Sequence, residues 1–435
     1  MVEHMYARRM RSYPFAPVGP PIGADPSVRD ITRRLPRRGV CVALYAGSVA
    51  ALFLSPLGHG WPFVDLTVYR LGGKAILSGA HLYELRFPGA LAFTYPPPAA
   101  FAFTLLAPLS LAVLKPLVTA GSIVLLPGML SFALRLPPMP SWLSRDYAAR
   151  LALLAAAAAL WLEPVWTTLR YGQIDILIAA LVLYDFSRPD ASRWKGAGIG
   201  LATGLKLTPA IFAVYLLLSR RYRAAARSLA VFAGTVVLGF AFAPGDSGEF
   251  WSGAFIDPKR VGRIENAANQ TLRGAYARLQ HSMNVEAWWL ATALIVGVIG
   301  MLLAVRAGRR GDDAQGFSLC ALTGLLISPI SWSHHWVLAI PALLLLAVNV
   351  LRRPSLAGIV GAALAAAAGY SHMIWWVPVN HPRHSELHLD PMQLVYADAY
   401  VLLGLSALAA VAWRNSARGS RPARPSRRSI AARSP

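Results

Sequence analysis

"AWWLATALIVGVIGMLLAVR", residues 287–306, is an apolar run of 20 residues whose only charge is the arginine at its end. A helix needs about 20 mostly apolar residues to cross the hydrocarbon core of a bilayer, so this run predicts a transmembrane helix. The segment "RAGRRGDD" (306–313) that overlaps its end is short and rich in arginine. Short basic loops stay on the cytoplasmic side, which orients the predicted helix with its start outside.

The rest of the chain has the same character. It contains 435 residues, of which 56% are hydrophobic and 14% are charged, whereas a soluble domain carries about 25% charged residues. Eleven further apolar runs lie at 39–56, 94–110, 113–134, 148–163, 174–187, 196–218, 224–243, 317–331, 335–351, 356–372 and 395–413. The sequence therefore predicts an all-α polytopic membrane protein with about twelve transmembrane helices, several of them short or tilted.

Basic residues are concentrated in the two tails. The net charge is +22; residues 1–38 contain eight arginines and three acids, and residues 399–435 contain seven arginines and no acid. Positive charge beside apolar runs indicates that both termini lie in the cytoplasm, near anionic membrane lipids. A nucleic-acid binder would interleave basic residues with aromatics, and this pattern is absent, so no nucleic-acid partner is expected.

The tails also set the domain boundaries. The first 38 residues are polar and rich in proline and arginine, unlike a secretory signal peptide. We expect disordered cytoplasmic tails at 1–38 and 414–435 and one transmembrane domain at 39–413. The two cysteines, Cys41 and Cys320, fall in apolar runs, so neither a disulfide framework nor a cysteine metal site is indicated.

The basic loops orient the remaining segments. Those predicted to face the cytoplasm are 219–227, 306–313 and 351–354. Those predicted to face outwards are 57–93, 244–286, 328–336 and 371–394. Apolar residues at helical spacing within 66–80 predict a short amphipathic helix on the outer membrane surface.

Three stretches conflict with simple alternation of helices. Alternation places 135–147 and 188–195 outside, although both carry basic residues, and it places 163–173 inside. A broken or re-entrant helix near "GLKLTP" (204–209), or in the proline-rich start of 94–110, would reverse these assignments. The sequence leaves both orders open.

"GHGWPFVDLTVYRLGG" (58–73) places Asp65 among aromatic and apolar residues at the predicted outer surface. One interpretation is a helix N-cap, since aspartate is favoured at that position. The other is a general base, because partial loss of water raises the pKa of a carboxylate toward its working range. The two roles are compatible.

Two more polar side chains stand in apolar surroundings. In "FTYPPPAA" (93–100) the prolines predict a rigid helix start, and Tyr95 offers a hydroxyl to a polar headgroup. Lys206 lies deep in its apolar run, where an unpaired ammonium costs at least about 2.5–3.5 kcal/mol. We therefore favour a partner anion, such as a lipid phosphate or a carboxylate, over snorkelling. Pro209 predicts a break in the helix.

"SPISWSHHW" (328–336) brings two adjacent histidines, His334 and His335, to a predicted outer helix end. With the neighbouring serines and tryptophans they provide donors suited to a phosphate and aromatic faces suited to a sugar. Zinc is not favoured, since no third ligand stands at metal spacing. "RIENAANQTLRG" (263–274) adds polar side chains in the largest outer loop, where a plain solvated loop is the alternative.

These stretches, taken in order, resemble the actinobacterial polyprenyl-phosphate-mannose-dependent mannosyltransferases of the GT-C superfamily, glycosyltransferase family 87. The family includes the α-(1→2)-mannosyltransferases of phosphatidylinositol mannoside, lipomannan and lipoarabinomannan synthesis. The motifs that carry the resemblance are "VDLTVYRLGG" (64–73), "LSGAHLYE" (77–84), "FTYPPPAA" (93–100), "WLEPVWTTLRYGQID" (161–175), "GLATGLKLTPA" (200–210), "NAANQTLRGA" (266–275) and "SPISWSHHW" (328–336).

The resemblance implies a GT-C fold in the plasma membrane, with long extracytoplasmic loops that carry short interfacial helices and the active site. It also implies a polyprenyl-phosphomannose donor, a glycolipid mannoside acceptor, inversion at the transferred sugar, and no cofactor or essential metal. Asp65 aligns with the catalytic base of the family. His334 or His335, together with Lys206, matches the role of stabilising the leaving phosphate.

The predicted site residues fall into two further groups. Those predicted to bind the donor phosphate or sugar are His334, His335, Lys206, Tyr95, Asn269, Gln270 and Arg273. Those assigned either to the acceptor or to the structure are Tyr69, Arg70, Glu163, Gln173 and Trp332.

Two other functions stay open at this point. A transporter or flippase of lipid-linked sugars would also place a lysine and broken helices inside a membrane. An enzyme of the same fold would use a different polyprenyl-phosphate sugar. The long outer loops and the lack of a visible internal repeat favour a transferase over a transporter.

Overall fold

The computed structural model describes residues 35–419, except 88–90, 139–142, 256, 258–259, 261 and 380–382. Nearly all of the tails predicted to be disordered therefore lie outside the described residues. The last helix continues to Gly419, past the predicted domain end at 413.

The described residues are mostly helical. In chain order the α-helices are α1 (Arg38–Leu54), α2 (Val64–Ser78), α3 (Pro97–Phe103), α4 (Leu111–Ala133), α5 (Arg145–Ala159), α6 (Glu163–Tyr171), α7 (Asp175–Phe186), α8 (Ala197–Leu205), α9 (Ala210–Leu218), α10 (Tyr222–Phe242), α11 (Pro244–Glu249), α12 (Leu272–Leu279), α13 (Glu286–Arg309), α14 (Asp313–Ile327), α15 (Ile340–Arg352), α16 (Leu356–Tyr370), α17 (Pro391–Ala397) and α18 (Ala399–Gly419). Short 3₁₀ segments lie at Pro56–Gly58, Thr104–Leu106, Ser333–Ala339, Met373–Trp375 and Ser385–His388, and a π-helical turn lies at Phe250–Ala254. Strands β1 (Arg86–Phe87) and β2 (Leu91–Ala92) pair antiparallel.

Four of the described helices are long and apolar enough to cross a membrane. They are α4, α10, α13 and the continuous helix Ser333–Arg352 that contains α15. The count rises to six if α5 with α6, bent by 79°, and α17 with α18, bent by 74°, each form one span. The chain is therefore a polytopic membrane protein, as predicted, and the remaining predicted segments are shorter or interrupted.

The predicted segments 94–110 and 196–218 are two of those that do not form one long helix. The helix in 94–110 spans only Pro97–Leu106, about 15 Å at 1.5 Å per residue, which is half the hydrocarbon thickness. The segment 196–218 is divided into α8 and α9. The predicted break near "GLKLTP" is therefore present.

Helices α8 and α9 form a hairpin that enters and leaves at one end of the bundle. Gly196 and Gly204, at the two ends of α8, pack against Ala224 and Thr235, so α8 runs parallel to α10. The end of α9 returns toward the start of α10, since Ser219 and Tyr222 are separated by two residues of the chain. The tip of this hairpin is the stretch from Lys206 to Pro209.

Contacts between loops show which of them lie at the same end of the bundle as the two ends of this hairpin. Ala314 donates to the Pro137 carbonyl, and Arg221 forms an ion pair with Asp190. The described residues of 135–147, together with 188–195, 219–227 and 306–313, thus lie at one end of the bundle, which we call the basic end. The assignment of 135–147 and 188–195 by simple alternation to the other face is wrong.

The opposite end, which we call the site end, contains α2 and α6. The Phe63 amide donates to the Arg170 carbonyl at 3.0 Å, so 163–173 lies beside 57–93 and away from the basic end. Simple alternation placed 163–173 on the same side as the basic loops, so that assignment is wrong too. The predicted amphipathic helix at 66–80 is α2.

Close packing fixes α2 against α3. A Cβ atom built on Gly73 would lie 2.2 Å from the Phe103 carbonyl oxygen, closer than any real Cβ contact. One turn earlier, the rings of Tyr69 and Phe103 stack with centroids 4.4 Å apart. Only glycine permits this approach, and the approach sets the position of the start of α2.

We expect Gly73→Ala to lower the free energy of unfolding by about 1–3 kcal/mol, the usual cost of overpacking. Gly47→Ala in α1 is the matched control, because no atom lies within 4 Å of the added Cβ. The measurement is the thermal unfolding midpoint of each purified variant in the same detergent. Equal midpoints for the two variants would contradict this packing.

Candidate active site

Asp65 lies in the first turn of α2 at the site end. The helix begins after Phe63, which adopts a left-handed backbone with φ of 49°, and no side chain caps the helix. The predicted N-cap role of Asp65 is therefore wrong, although an acid in the first turn still interacts favourably with the helix dipole. The residue keeps part of its surface accessible, as a group that meets a substrate requires.

A buried amide orients the groups next to Asp65. The Gln173 side-chain oxygen accepts hydrogen bonds from Tyr69 Oη at 2.6 Å and from Tyr95 Oη at 3.2 Å. The Gln173 amide nitrogen therefore turns away from both tyrosines, and Gln173 hydrogen-bonds the Asp65 carboxylate. Gln173 thus links the predicted base to two tyrosines from α2 and the chain before α3.

The tip of the α8–α9 hairpin brings a cation to this group. Lys206 Nζ lies 2.7 Å from Asp175 Oδ1 and 5.7 Å from the ring centroid of Tyr95. The two charged side chains are only 12% and 7% exposed. The predicted partner anion of Lys206 is thus a carboxylate, and snorkelling does not account for the lysine.

The paired histidines lie on the other side of Asp175. His334 Nε2 is 3.9 Å from Asp175 Oδ2, and neither atom has a hydrogen-bond partner. The ring of His335 meets that of His334 edge to face, with centroids 4.7 Å apart. Two buried polar atoms without partners indicate a place for a polar ligand.

These three residues include a possible metal-ligand set. Ligand atoms of Asp175, His334 and His335 lie within 4.8 Å of one another, so the third ligand that sequence spacing lacked is present in space. However, Lys206 already donates to the same carboxylate. Its positive charge opposes a second cation at that point, so the donor set fits an anion better than a metal ion.

A cavity leads away from this group into the bundle. Its polar wall is formed by Asp175, Lys206, Thr208, Ser331 and His335. The other walls are mostly apolar side chains of α7, α9, α14 and the 3₁₀ segment Ser333–Ala339, among them Ile178, Val182, Phe212, Leu325 and Leu338. Polar groups on one wall and apolar side chains on the others suit an amphiphilic ligand.

The predicted donor-binding residues of the large outer loop lie behind the histidines. Asn269 Oδ1 accepts from the Ser331 amide at 3.0 Å, and Gln270 Oε1 accepts from the Tyr400 amide at 3.1 Å. Both side chains are fully buried. Arg273 pairs with Glu286. Asn269 thus supports the start of the segment that carries the histidines, Gln270 supports the start of α18, and Arg273 is held at the start of α13. Their contacts with a donor stay a prediction.

The remaining predicted residues lie around the site. Arg70 donates to the Leu109 carbonyl at 2.6 Å, and Trp332 packs against Gly262. Glu163 is fully buried and hydrogen-bonded to protein groups. These contacts favour the structural alternative for all three residues.

Sequence reasoning missed Asp175. It falls two residues after Gln173 and begins the apolar helix α7. The signal was present, since an acid at the start of an apolar run, with a lysine in the middle of another run, suggests an intramembrane pair.

The model of glycosyltransferase family 87 matches residues 93–329, more than half of the chain. The chain belongs to glycosyltransferase family 87. The resemblance seen in the sequence motifs is thereby confirmed.

Several curated proteins are similar to the chain over most of their length. One is the polyprenol-phosphate-mannose-dependent alpha-(1-2)-phosphatidylinositol mannoside mannosyltransferase of Mycobacterium tuberculosis, 34% identical over 82% of this chain and 87% of that protein. Its namesake in Mycolicibacterium smegmatis is 33% identical over 82% and 84%. The corresponding pentamannoside mannosyltransferase of M. smegmatis is 33% identical over 77% and 82%. No solved structure matches the chain.

Burial changes the acid strength of Asp65 in this family 87 site. Loss of water around the carboxylate raises its pKa to about 7, although the hydrogen bond with Gln173 and the charge of Lys206 act in the opposite direction. The negative charge of Asp175 adds to the rise. A carboxyl with this pKa accepts a proton efficiently at neutral pH.

We expect the Asp65 carboxyl to be half-protonated near pH 7, because burial disfavours its charged form. Difference infrared spectroscopy between acidic and alkaline pH measures this titration through the band of the protonated carboxyl. Asp65→Asn is the control, and it removes the band. A band in the wild type that titrates near pH 4, the usual range of a carboxyl, would contradict the expectation.

Proposed function

We propose that the chain is an inverting membrane mannosyltransferase that moves mannose from polyprenyl-phosphomannose to a glycolipid mannoside in α-1,2 linkage. The acceptor is of the phosphatidylinositol mannoside, lipomannan or lipoarabinomannan type. Family membership and the names of the relatives support the substrates. The observation that carries the chemistry is the convergence of Asp65 with Lys206, His334 and His335 around Asp175.

Asp65 acts on the acceptor hydroxyl, and Lys206 with the two histidines acts on the leaving phosphate. Asp65 removes the proton from the acceptor hydroxyl, whose oxygen attacks C1 of mannose from the side opposite the phosphate. The bond from C1 to the phosphate oxygen breaks, and its electron pair leaves with the polyprenyl phosphate. A single displacement inverts the configuration at C1 and needs one base and no covalent intermediate.

Charge moves across the site during this step. Asp65 loses its negative charge on taking the proton, and the leaving phosphate gains one. The gain occurs beside Lys206 and the two histidines, which supply one positive charge and several hydrogen-bond donors. The site therefore stabilises the charge that develops on the leaving phosphate more than it stabilises the bound substrates, as catalysis requires.

The cavity provides a place for the donor. The phosphate lies at its polar wall, next to Lys206 and His335, and the polyprenyl chain follows the apolar side chains between α7, α9 and α14. Tyr95 lies beside the lysine, where its hydroxyl is close to the transferred sugar.

We infer a GT-C fold with about twelve membrane-embedded helices, including the short and broken ones. Arginines and lysines gather at the basic end, which supports a cytoplasmic position for that end and for both termini. The site end is then extracytoplasmic, facing the outer surface of the plasma membrane.

Asp65→Asn removes the base and keeps the shape of the side chain. We expect at least about a 10²–10⁴-fold loss of transfer, the typical contribution of general base catalysis, with donor binding retained. The assay follows label from polyprenyl-phosphomannose into the acceptor, which distinguishes transfer from movement of the intact lipid. Transfer at the wild-type rate would exclude Asp65 as the base.

Lys206→Met removes the ammonium and keeps a long side chain. We expect donor affinity to fall by about tenfold or more, since an ionic hydrogen bond to phosphate contributes about 1.5–3 kcal/mol. Lys74→Met is the matched control, because Lys74 is exposed on α2. Donor titration of both variants in nanodiscs provides the measurement. Equal affinities would show that Lys206 does not bind the phosphate.

A further inference from the structure

Glu163 is a buried acid surrounded by hydrogen-bond donors from four parts of the chain. Its Oε1 atom accepts from Thr167 Oγ1 at 2.7 Å, Ser333 Oγ at 2.7 Å and Trp375 Nε1 at 3.0 Å, and its Oε2 atom accepts from Tyr400 Oη at 2.9 Å. The residue has no exposed surface. Among the described residues, no lysine, arginine or histidine forms an ion pair with it.

This arrangement is costly unless the donors are fixed. A buried carboxylate without a counter-ion is stabilised only by hydrogen bonds that hold their direction. The position of Glu163 in the first turn of α6 adds the favourable helix dipole. The hydrogen bonds of Glu163 therefore also restrain the four side chains that donate them.

One of these four hydrogen-bonding side chains lies next to the site proposed for polyprenyl-phosphomannose. Ser333 is the residue before His334 and begins the 3₁₀ segment that carries both histidines. Thr168 of α6 also donates to the His334 carbonyl at 3.2 Å. The same short helix α6 ends next to Gln173, which orients Asp65. Helix α6 thus connects the base to the histidines.

We propose that Glu163 is a positioning residue that fixes His334 and His335 against the donor phosphate through its hydrogen bond with Ser333. The proposal rests on the mannosyltransferase function above. Glu163 does not touch a substrate, because both of its oxygens are enclosed by protein. Its action reaches the donor only through the direction of the 3₁₀ segment.

Two hydroxyls allow a matched test. Ser333→Ala and Thr167→Val each remove one donor to the same oxygen at the same distance of 2.7 Å, and both residues are fully buried. Only Ser333 belongs to the segment of the histidines. We expect Ser333→Ala to lower kcat/KM for the donor about 10- to 100-fold, the usual effect of a small misplacement. In Ser333→Ala, we expect the KM for the acceptor to stay close to the wild-type value. In Thr167→Val, we expect kcat/KM for the donor to stay close to the wild-type value.

A binding cycle distinguishes positioning from general loss of structure. Donor dissociation constants are measured in nanodiscs for the wild type, Ser333→Ala, His335→Ala and the double variant, with thermal midpoints as a check on folding. If Ser333 acts through the histidine, Ser333→Ala weakens donor binding in the wild type and adds nothing in the His335→Ala protein. Purely additive losses, or equal losses for Ser333→Ala and Thr167→Val, would overturn the proposal.

The outcomes also separate this proposal from the function itself. If the wild-type protein transfers no mannose from polyprenyl-phosphomannose, the proposed function fails. If it transfers mannose and the two hydroxyl variants behave alike, the function stands and the role of Glu163 is wrong.

Discussion

The ion pair of Lys206 and Asp175 is the constraint on which the site depends. An ammonium inside an apolar bundle costs several kcal/mol unless an anion lies beside it, and removing one partner of a buried pair typically costs about 3–5 kcal/mol. The ion pair lies between Asp65 and the two histidines, so it fixes the distance between the proposed base and the groups proposed to bind the leaving phosphate. Asp175 also prepares the lysine, because the ammonium is already stripped of most of its water and held in direction before a phosphate arrives. Little reorganisation is then needed when the leaving group develops its charge.

The hairpin of α8 and α9 follows from the need to bring this lysine to the site. Lys206 has an extended backbone, with φ of −155° and ψ of 128°, at the point where α8 ends. Pro209 lacks an amide hydrogen and disfavours a helical residue before it, so the chain turns there at little cost. Small residues on α8 permit close contact with α10; Gly200, for example, packs against the Ser228 carbonyl. The hairpin ends inside the protein, where Lys206 meets Asp175.

Much of the site was predictable from local chemistry, and the part that was not depends on tertiary contacts. Asp65 and Lys206 stood out because each is a charge in an apolar neighbourhood. Asp175 gave a weaker local signal, an acid at the start of an apolar run, and its pairing with a lysine 31 residues away is a tertiary contact. The N-cap role of Asp65 was wrong because the left-handed backbone of Phe63 starts the helix two residues too early for it. The broken helix at "GLKLTP" was predictable from Pro209, but the side on which 163–173 lies also depends on the segment 94–110, whose helix is only half the length of a span. Counting apolar runs gave about twelve segments, whereas four to six spans among the described residues are long and apolar enough by themselves; hydropathy does not separate a helix that crosses lipid from one enclosed by protein.

The outer loops explain why polar residues that look like ligands are enclosed. Arg278 is fully buried and donates to the carbonyls of Glu265, Asn266 and Asn269, while it also pairs with Asp398 at the end of α17. This cluster anchors the stretch that holds Ser331, and Ser331 in turn begins the path to the histidines. A loop outside the bundle has few apolar contacts to stabilise it, so directed hydrogen bonds must supply its rigidity. The reacting groups thus come from a surface helix, a hairpin tip and an anchored loop, which are far apart in sequence. In the proposed mechanism Asp65 faces the acceptor hydroxyl and Lys206 faces the leaving phosphate. The acceptor oxygen and the leaving phosphate then lie on opposite sides of C1, which is the geometry that an inverting displacement requires.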